Sequence, residues 1–597
     1  MLPSPLAVLL LRPSDPASVP TFYEARAGAA SSCNNIRVLF LTALLLCDFC
    51  TELGGVSGSG ISGTSGSASP NLPPHWLAWS RSMRTVRVAQ GVLRGRVLSV
   101  RSSSVSTRLR EVEVFLGVPY AAPPTNRLRF HPPQPPASWE GERELTKMPP
   151  SCIQAFPNIS GGQEQLSARM STARLNYLRK IQPTVDDSNQ NEDCLYLNIY
   201  VPAAPQMAES RQLPVFVVLS AGDSYLWGSG NHVDGSMTAA YSNVIVVSIN
   251  YRLGVFGFLS SGSPSSSSNV GLQDQLIALR WLRANLGAFG GDRDKVTLAG
   301  AGRAAAMAHL LAINIRAADL FRRLVLVGGS ALSSWAVCTD GLEQALLLAH
   351  ALGCKPNRSS PNLESTMECF RERPADEIAR ASLALQVPDH LCGPFGPTPD
   401  GDMVPLDVYE ALHSESRQAS FAKLDLIVGV TKWESLQLFN DYQRVHGIEP
   451  TFKERTLRTL IRNLYVYHQN EIFFSVSNEY TNWSRGESST LDVLQDTADA
   501  LSDSTVVAPA IELATLHSHL TSIGKFQRST HLFVFSYQSS SCDYSHLYSC
   551  TPGAEDAFNF LLGVPLIETL SNTNYSRQDA QVSELMLNYI NNFLRTG

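Results

Sequence analysis

Val296-Thr297-Leu298-Ala299-Gly300-Ala301-Gly302-Arg303-Ala304 runs from an apolar strand candidate into a helix, with two glycines in between. Val296 to Ala299 is short, continuous and apolar, as suits a buried strand. Ala304 to Ile313 is built of strong helix formers. Working outward, Leu324 to Val327 is another buried-strand candidate. Upstream, Leu272 to Leu286 (LQDQLIALRWLRANL) carries apolar residues at helical spacing. Before it lie two more apolar runs, Val244 to Ile249 (VIVVSI) and Val215 to Leu219 (VFVVL). Strands alternating with helices predict an α/β fold, a large and mostly parallel central sheet covered by helices on both faces. Near Thr85 (TVRVAQGVLRGRVLSV) valines and polar residues alternate, and Gly91 and Gly95 interrupt the run, as in a hairpin.

The chain has 597 residues, 44% of them hydrophobic, enough for a large core. A net charge of −6 with no like-charge run argues against a nucleic-acid surface. Val38 to Cys47 (VLFLTALLLC), just after Arg37, has the length of a signal-peptide apolar region and is too short for a membrane span; a buried strand is the alternative reading. Gly54 to Pro74 is Gly/Ser-rich and reads as a flexible linker. The expected organisation is a signal region over 1–50, a linker over 51–80 and one folded domain over 84–597. No other apolar run reaches about 18 residues, so membrane attachment is expected only through an anchor beyond Gly597.

Eight of the eleven cysteines lie beyond the linker: Cys152, Cys194, Cys338, Cys354, Cys369, Cys392, Cys542 and Cys550. An even set suits disulfides in a secreted chain. Asn158, Asn357, Asn482 and Asn574 head glycosylation sequons. No Cys-x-x-Cys pair or Cys/His cluster has metal spacing, so no cofactor is expected within the chain.

FLGVPYA (Phe115 to Ala121), EDCLYLNIY (Glu192 to Tyr200), NYRLGVFGF (Asn250 to Phe258), GLQDQLIALRW (Gly271 to Trp281) and NLGAFGGDRDKVTL (Asn285 to Leu298) follow one another along the chain. Together they resemble the cholinesterase, or type B carboxylesterase, family of α/β-hydrolases, over about Thr85 to Gly597. GSGNHVDGS (Gly228 to Ser236), ALSSWAV (Ala331 to Val337), FGPTPDGD (Phe395 to Asp402) and NFLRTG (Asn592 to Gly597) more narrowly resemble neuroligins. That resemblance implies an adhesion receptor on the extracellular face of the plasma membrane, at the synapse, with the hydrolase fold but not its chemistry. It also implies Cys152–Cys194 and Cys354–Cys369 bridges. Cys542 is then expected to pair with Cys550, leaving Cys338 and Cys392 for each other.

An active member of the family needs a serine at a strand-to-helix elbow, a histidine to take its proton and an acid to orient that histidine. The resemblance puts Gly302 at the serine position, Glu434 (in GVTKWES) at the acid and Ala554 (in GAEDAFNFLLG) at the histidine. Glycine carries no nucleophile and alanine no base, so the chain is expected to be a pseudo-hydrolase. Arg303 beside the elbow is expected to crowd or plug the old pocket. The Gly-rich turn that would hold an oxyanion reads Ser220-Ala221-Gly222-Asp223-Ser224-Tyr225, and a carboxylate at Asp223 would oppose a developing negative charge. Ser330, in Gly328-Gly329-Ser330, is the alternative nucleophile, with no base evident beside it.

Without chemistry, recognition remains. The resemblance implies a neurexin-like cell-surface partner, bound through a calcium-bridged patch that includes the loop from Val404 to Asp425. Its candidate residues are Asp407, Ser420, Lys423 and Asp425; Ser420 and Lys423 depart from the family pattern. The resemblance also implies a homodimer through the C-terminal helix, where Leu585, Met586, Tyr589, Ile590 and Phe593 follow helical spacing. The same stripe would equally serve the chain's own core. Two other functions stay open: a non-catalytic secreted or surface protein with a different ligand, and an esterase with displaced catalytic residues.

Overall fold

The computed structural model describes residues 36–38, 79–102, 109–162, 165–166, 168–170, 172–185, 189–203, 212–222, 224–260, 268–354, 366–385, 391–432, 434–484, 486, 488–524, 526–539, 553–567 and 575–597. Its strands are β1 (Ile36–Val38), β2 (Trp79–Val88), β3 (Gly91–Ser99), β4 (Glu111–Pro119), β5 (Glu142–Glu144), β6 (Tyr196–Pro202), β7 (Leu213–Val218), β8 (Ile245–Ile249), β9 (Gly291–Ala301), β10 (Arg323–Val327), β11 (Asp425–Thr431) and β12 (Thr530–Phe535). They join in the order β1-β12-β11-β10-β9-β7-β8-β6-β4-β3-β2, with β5 on β3. From β8 through β7, β9, β10 and β11 to β12 every pair is parallel. The pairs β2–β3, β3–β4, β4–β6 and β6–β8 are antiparallel.

The parallel strands are short apolar runs because helices cover both of their faces. In β7, Val215 and Val217 face one core while Phe216 and Val218 face the other; in β10, Leu324 and Leu326 alternate with Val325 and Val327 in the same way. Helices Val270–Asn285 and Arg303–Ala312 fill the first side. Helices Ser236–Ser242, Ala554–Leu561 and Arg577–Thr596 fill the second.

The expected elements are present, with shifted ends. The helix expected over Leu272 to Leu286 spans Val270–Asn285. Strand β9 starts at Gly291, ahead of the expected Val296, because Gly291 pairs with Leu213 across an irregular register. The first strand of the domain starts at Trp79, ahead of Thr85 and inside the stretch expected as linker. Charge and ring contacts hold it there: Arg84 pairs with Glu113 at 2.7 Å, and the Arg96 guanidinium lies 4.4 Å over the Trp79 ring. Ile36–Val38, beside the apolar leader, lies parallel to Thr530–Leu532. The rest of that leader, and the linker as far as residue 78, lie outside the described residues, as do Cys542, Cys550, Asn357, Asn574 and Asp223.

The family-like motifs are explained by packing. Arg252, of NYRLGVFGF, makes a bidentate pair with Asp274, of GLQDQLIALRW, at 2.6 and 2.7 Å with both side chains buried. Gly271 packs directly on the Arg252 carbonyl, which leaves no room for a larger side chain. Glu192, of EDCL, pairs with Arg129 at 2.6 and 2.7 Å. Among the described residues three disulfides are formed: Cys152–Cys194, Cys338–Cys392 and Cys354–Cys369.

Candidate functional site

The site is built on the ends of β9, β10 and β11. Strand β9 stops at Ala301 and helix Arg303–Ala312 starts two residues later, so Gly302 must reverse the chain within one residue. It does so at φ +53°, ψ −120°, a backbone state that side-chain-bearing residues adopt only with strain. Its N–H donates to the Val327 carbonyl at 2.8 Å, which locks the turn to β10. Its chain neighbours Ala301 and Arg303 aside, a Cβ placed on Gly302 meets no heavy atom within 4 Å. The elbow therefore keeps the shape and space that a nucleophile needs, and holds a hydrogen atom there.

Glu434 opens the short helix Glu434–Leu438 after β11 and is buried. It accepts the Thr431 N–H at 2.6 Å. Burial pushes its pKa up to about 7, against the pull of that hydrogen bond. Ala554 starts helix Ala554–Leu561 and is also buried. Two of the three positions flank Gly328: a Cβ there would collide with the Ala554 methyl group and stand 3.0 and 3.1 Å from the Glu434 oxygens. Where the resemblance expects an imidazole near the acid, residue 554 supplies only a methyl group.

Arg303 follows Gly302 directly and holds a long cation beside the elbow. Its guanidinium turns aside onto aromatic faces, 4.4 Å from the Trp335 ring centroid and 5.1 Å from that of Tyr225. It donates to the Trp335 carbonyl and, at 2.8 Å, to the Leu391 carbonyl. The old oxyanion turn is closed on itself: the Gly222 N–H donates to the Trp227 carbonyl at 2.9 Å, and the Trp227 indole packs over the Gly222 Cα.

Neither possible substitute for the nucleophile is equipped. Ser330 is fully buried, and its hydroxyl accepts the Leu332 N–H at 3.2 Å. A serine–histidine contact that sequence reading missed joins Ser220 Oγ and His232 Nε2 at 2.5 Å. Burial lowers the His232 pKa to about 4, and its Nδ1 has no partner among the described residues, so no acid orients this ring. A pairing of residues 12 apart through a loop leaves no periodic trace in sequence.

The recognition candidates are split by the fold. Asp407 is exposed and caps helix Val408–Leu412 by accepting the Glu410 N–H at 3.0 Å. Ser420 is half-buried and Lys423 is exposed. Asp425 does not belong to a surface patch. It is 4% exposed, faces Arg528 at 3.3 Å and Arg323 at 3.6 Å, and accepts the Ser529 N–H at 3.2 Å. On helix Arg577–Thr596, Met586, Ile590 and Phe593 are buried in the chain's own core, whereas Leu585 and Tyr589 are 42% and 40% exposed. Only those last two of the five expected dimer residues are open to a partner. Asn158 and Asn482 are exposed. Among the described residues no three His, Cys, Asp or Glu side chains are placed to hold a metal, and no helix is long and apolar enough to cross a membrane.

Residues 82–597, which include the elbow and all three degenerate positions, match the Carboxylesterase family. The chain belongs to that family. Within it, the chain is neuroligin-like. It is 34% identical over 534 residues to Neuroligin-1 of Caenorhabditis elegans, covering 87% of this chain and 65% of that protein. It is 34% identical to Neuroligin-2 of Mus musculus, over 84% of this chain and 59% of that one, and 32% identical to Neuroligin-3 of Mus musculus, over 86% and 61%. The chain thus spans roughly three fifths of the length of these relatives. The carboxylesterase fold is retained here with its elbow intact.

Proposed function

We propose that this chain is a catalytically inactive, cholinesterase-like adhesion domain displayed outside the cell, and that it binds a neurexin-like surface protein. The observation that carries the reading is the elbow: its φ/ψ and open space are kept, yet Gly302 offers no nucleophile and Ala554 no base. Losing both members of such a unit removes the covalent route to ester hydrolysis. What remains is a large sheet-based body, cross-linked by disulfides, that presents loops and helices for recognition.

The loop around Asp407 is the proposed contact, with Ser420 and Lys423 beside it and calcium bridging at Asp407. Because Asp425 is committed to Arg323 and Arg528, this patch offers less negative charge to a cation than the sequence suggests. That observation favours a second reading, a partner other than neurexin on the same inert scaffold. Leu585 and Tyr589 are the proposed homodimer contacts. The deciding experiment is a pull-down of neurexin ectodomain by the folded chain, with calcium and with chelator. Calcium-dependent capture that Asp407→Ala abolishes supports the first reading, and no capture under either condition moves the assignment to the second. Ester turnover blocked by a serine-reactive organophosphate would overturn both.

A further inference from the structure

Helices Pro450–Leu464 and Gln469–Glu479 leave a cleft of about 470 Å³ between them. That volume lies in the range of small-molecule sites. Three guanidinium side chains line it, Arg455, Arg458 and Arg462, against one carboxylate, Glu454. Spacings of three and four residues put all three arginines on one face of the first helix. The outer two are about 10 Å apart along its axis. All three are exposed, and so within reach of a solute. The chain as a whole carries a net charge of −6, so the cleft has the opposite sign to the body that bears it. The middle arginine is already seated. Its guanidinium lies 3.9 Å from the centroid of the buried Phe473 ring, and it donates to Glu454 at 2.9 Å and to Asn470 Oδ1 at 3.3 Å. These contacts fix the plane of the fork and leave part of its five-donor set for a ligand.

We infer that this cleft binds a compact multivalent oxyanion, a chain of two or three linked phosphates. Guanidinium forks match the oxygens of a phosphate two at a time, through charge-assisted hydrogen bonds. A single small anion would answer one fork. Linked phosphates answer neighbouring forks together, and they relieve the repulsion between like charges three and four residues apart on a helix. Arg458 is the positioned centre of the site, with Arg455 and Arg462 on either side. Glu454 competes with the ligand for Arg458. The inference does not depend on the adhesion reading, and its test needs no partner protein.

The test is calorimetric titration of the folded chain with sodium triphosphate, in chelator, at low and at physiological salt. The expected result is one saturable site whose affinity falls as salt rises. Arg458→Gln should weaken binding roughly ten-fold or more, through the loss of a charge-assisted contact. Arg455→Gln and Arg462→Gln should weaken it as well. Glu454→Gln removes the competing carboxylate and should tighten binding roughly two-fold or more; a gain of this kind cannot come from a misfolded variant. Arg380→Gln, an exposed arginine on helix Ala375–Ala384, should leave binding unchanged. A parallel titration with adenosine triphosphate separates the sources: tighter binding than triphosphate assigns a nucleotide, and equal or weaker binding assigns free polyphosphate. No saturable heat with either phosphate overturns the inference. So does an equal loss in Arg380→Gln, or binding of a long sulfated polysaccharide with no binding of triphosphate.

Discussion

The elbow and the loop from Val404 to Asp425 differ in what they have kept. The elbow has a fixed geometry and no side chain: Gly302 takes φ +53°, and its N–H reaches the Val327 carbonyl. Along the loop exposure divides: Asp407 faces solvent, while Asp425, at the start of β11, is buried between arginines. A turn held between β9 and β10 is fixed by the register of the whole sheet. A loop answers to few neighbours, and its side chains are reassigned freely.

The contrast is sharpest in stability. Asp274→Ala should cost about 3–5 kcal/mol in urea unfolding, because it strands the buried Arg252 guanidinium. A loss below about 1 kcal/mol would show that the motif pair is not what ties the framework together. The next largest effect concerns a relic of the site. Glu434 has its pKa raised from 4.5 to about 7 by burial, so the folded chain holds the proton more tightly than the unfolded one. The resulting stabilisation is complete below about pH 4.5, declines through pH 7 and is absent above it. Glu434→Gln keeps an acceptor for the Thr431 N–H and removes that pH dependence. It should be more stable than the parent at pH 8 by up to about 3 kcal/mol, with the difference closing at pH 4.5 in paired unfolding curves.

Gly302→Ser probes the elbow itself. The space is open, so the variant should fold, at a cost of about 1–2 kcal/mol for a side chain at positive φ. It should not hydrolyse a chromogenic ester, because Ala554 supplies no base. A burst of product would mean that another group, such as His232, can activate a serine there. The smallest effect belongs to the loop: Asp407→Ala should cost about 1 kcal/mol through the lost helix cap. If it costs as much as Asp274→Ala, the loop is as constrained as the sheet and the comparison fails.

Much of the fold was legible because buried parallel strands and amphipathic helices write their periods directly into the chain. Leu324 to Val327 and Leu272 to Leu286 sit within two residues of their observed ends. Charge contacts that recruit flanking polar residues have no period, which is why β2 began earlier than expected. At the site, Gly302, Glu434 and Ala554 could be named from motif order. The seat of Arg303 between Tyr225 and Trp335, and the contact of Ser220 with His232, could not, because each joins segments brought together by loops.

The sequence by itself determined that residue 302 carries no hydroxyl and residue 554 no ring nitrogen, since no packing can give glycine an oxygen or alanine a nitrogen. It also determined the succession of strands and helices, which is a local property of residue pattern. Only the tertiary structure decided that Asp425 is a core ion-pair partner, that Arg303 rests between Tyr225 and Trp335, and that Met586, Ile590 and Phe593 face inward while Leu585 and Tyr589 face out. Burial and pairing are set by which distant segments meet, and that is a property of the assembled sheet and its helices rather than of any stretch of chain.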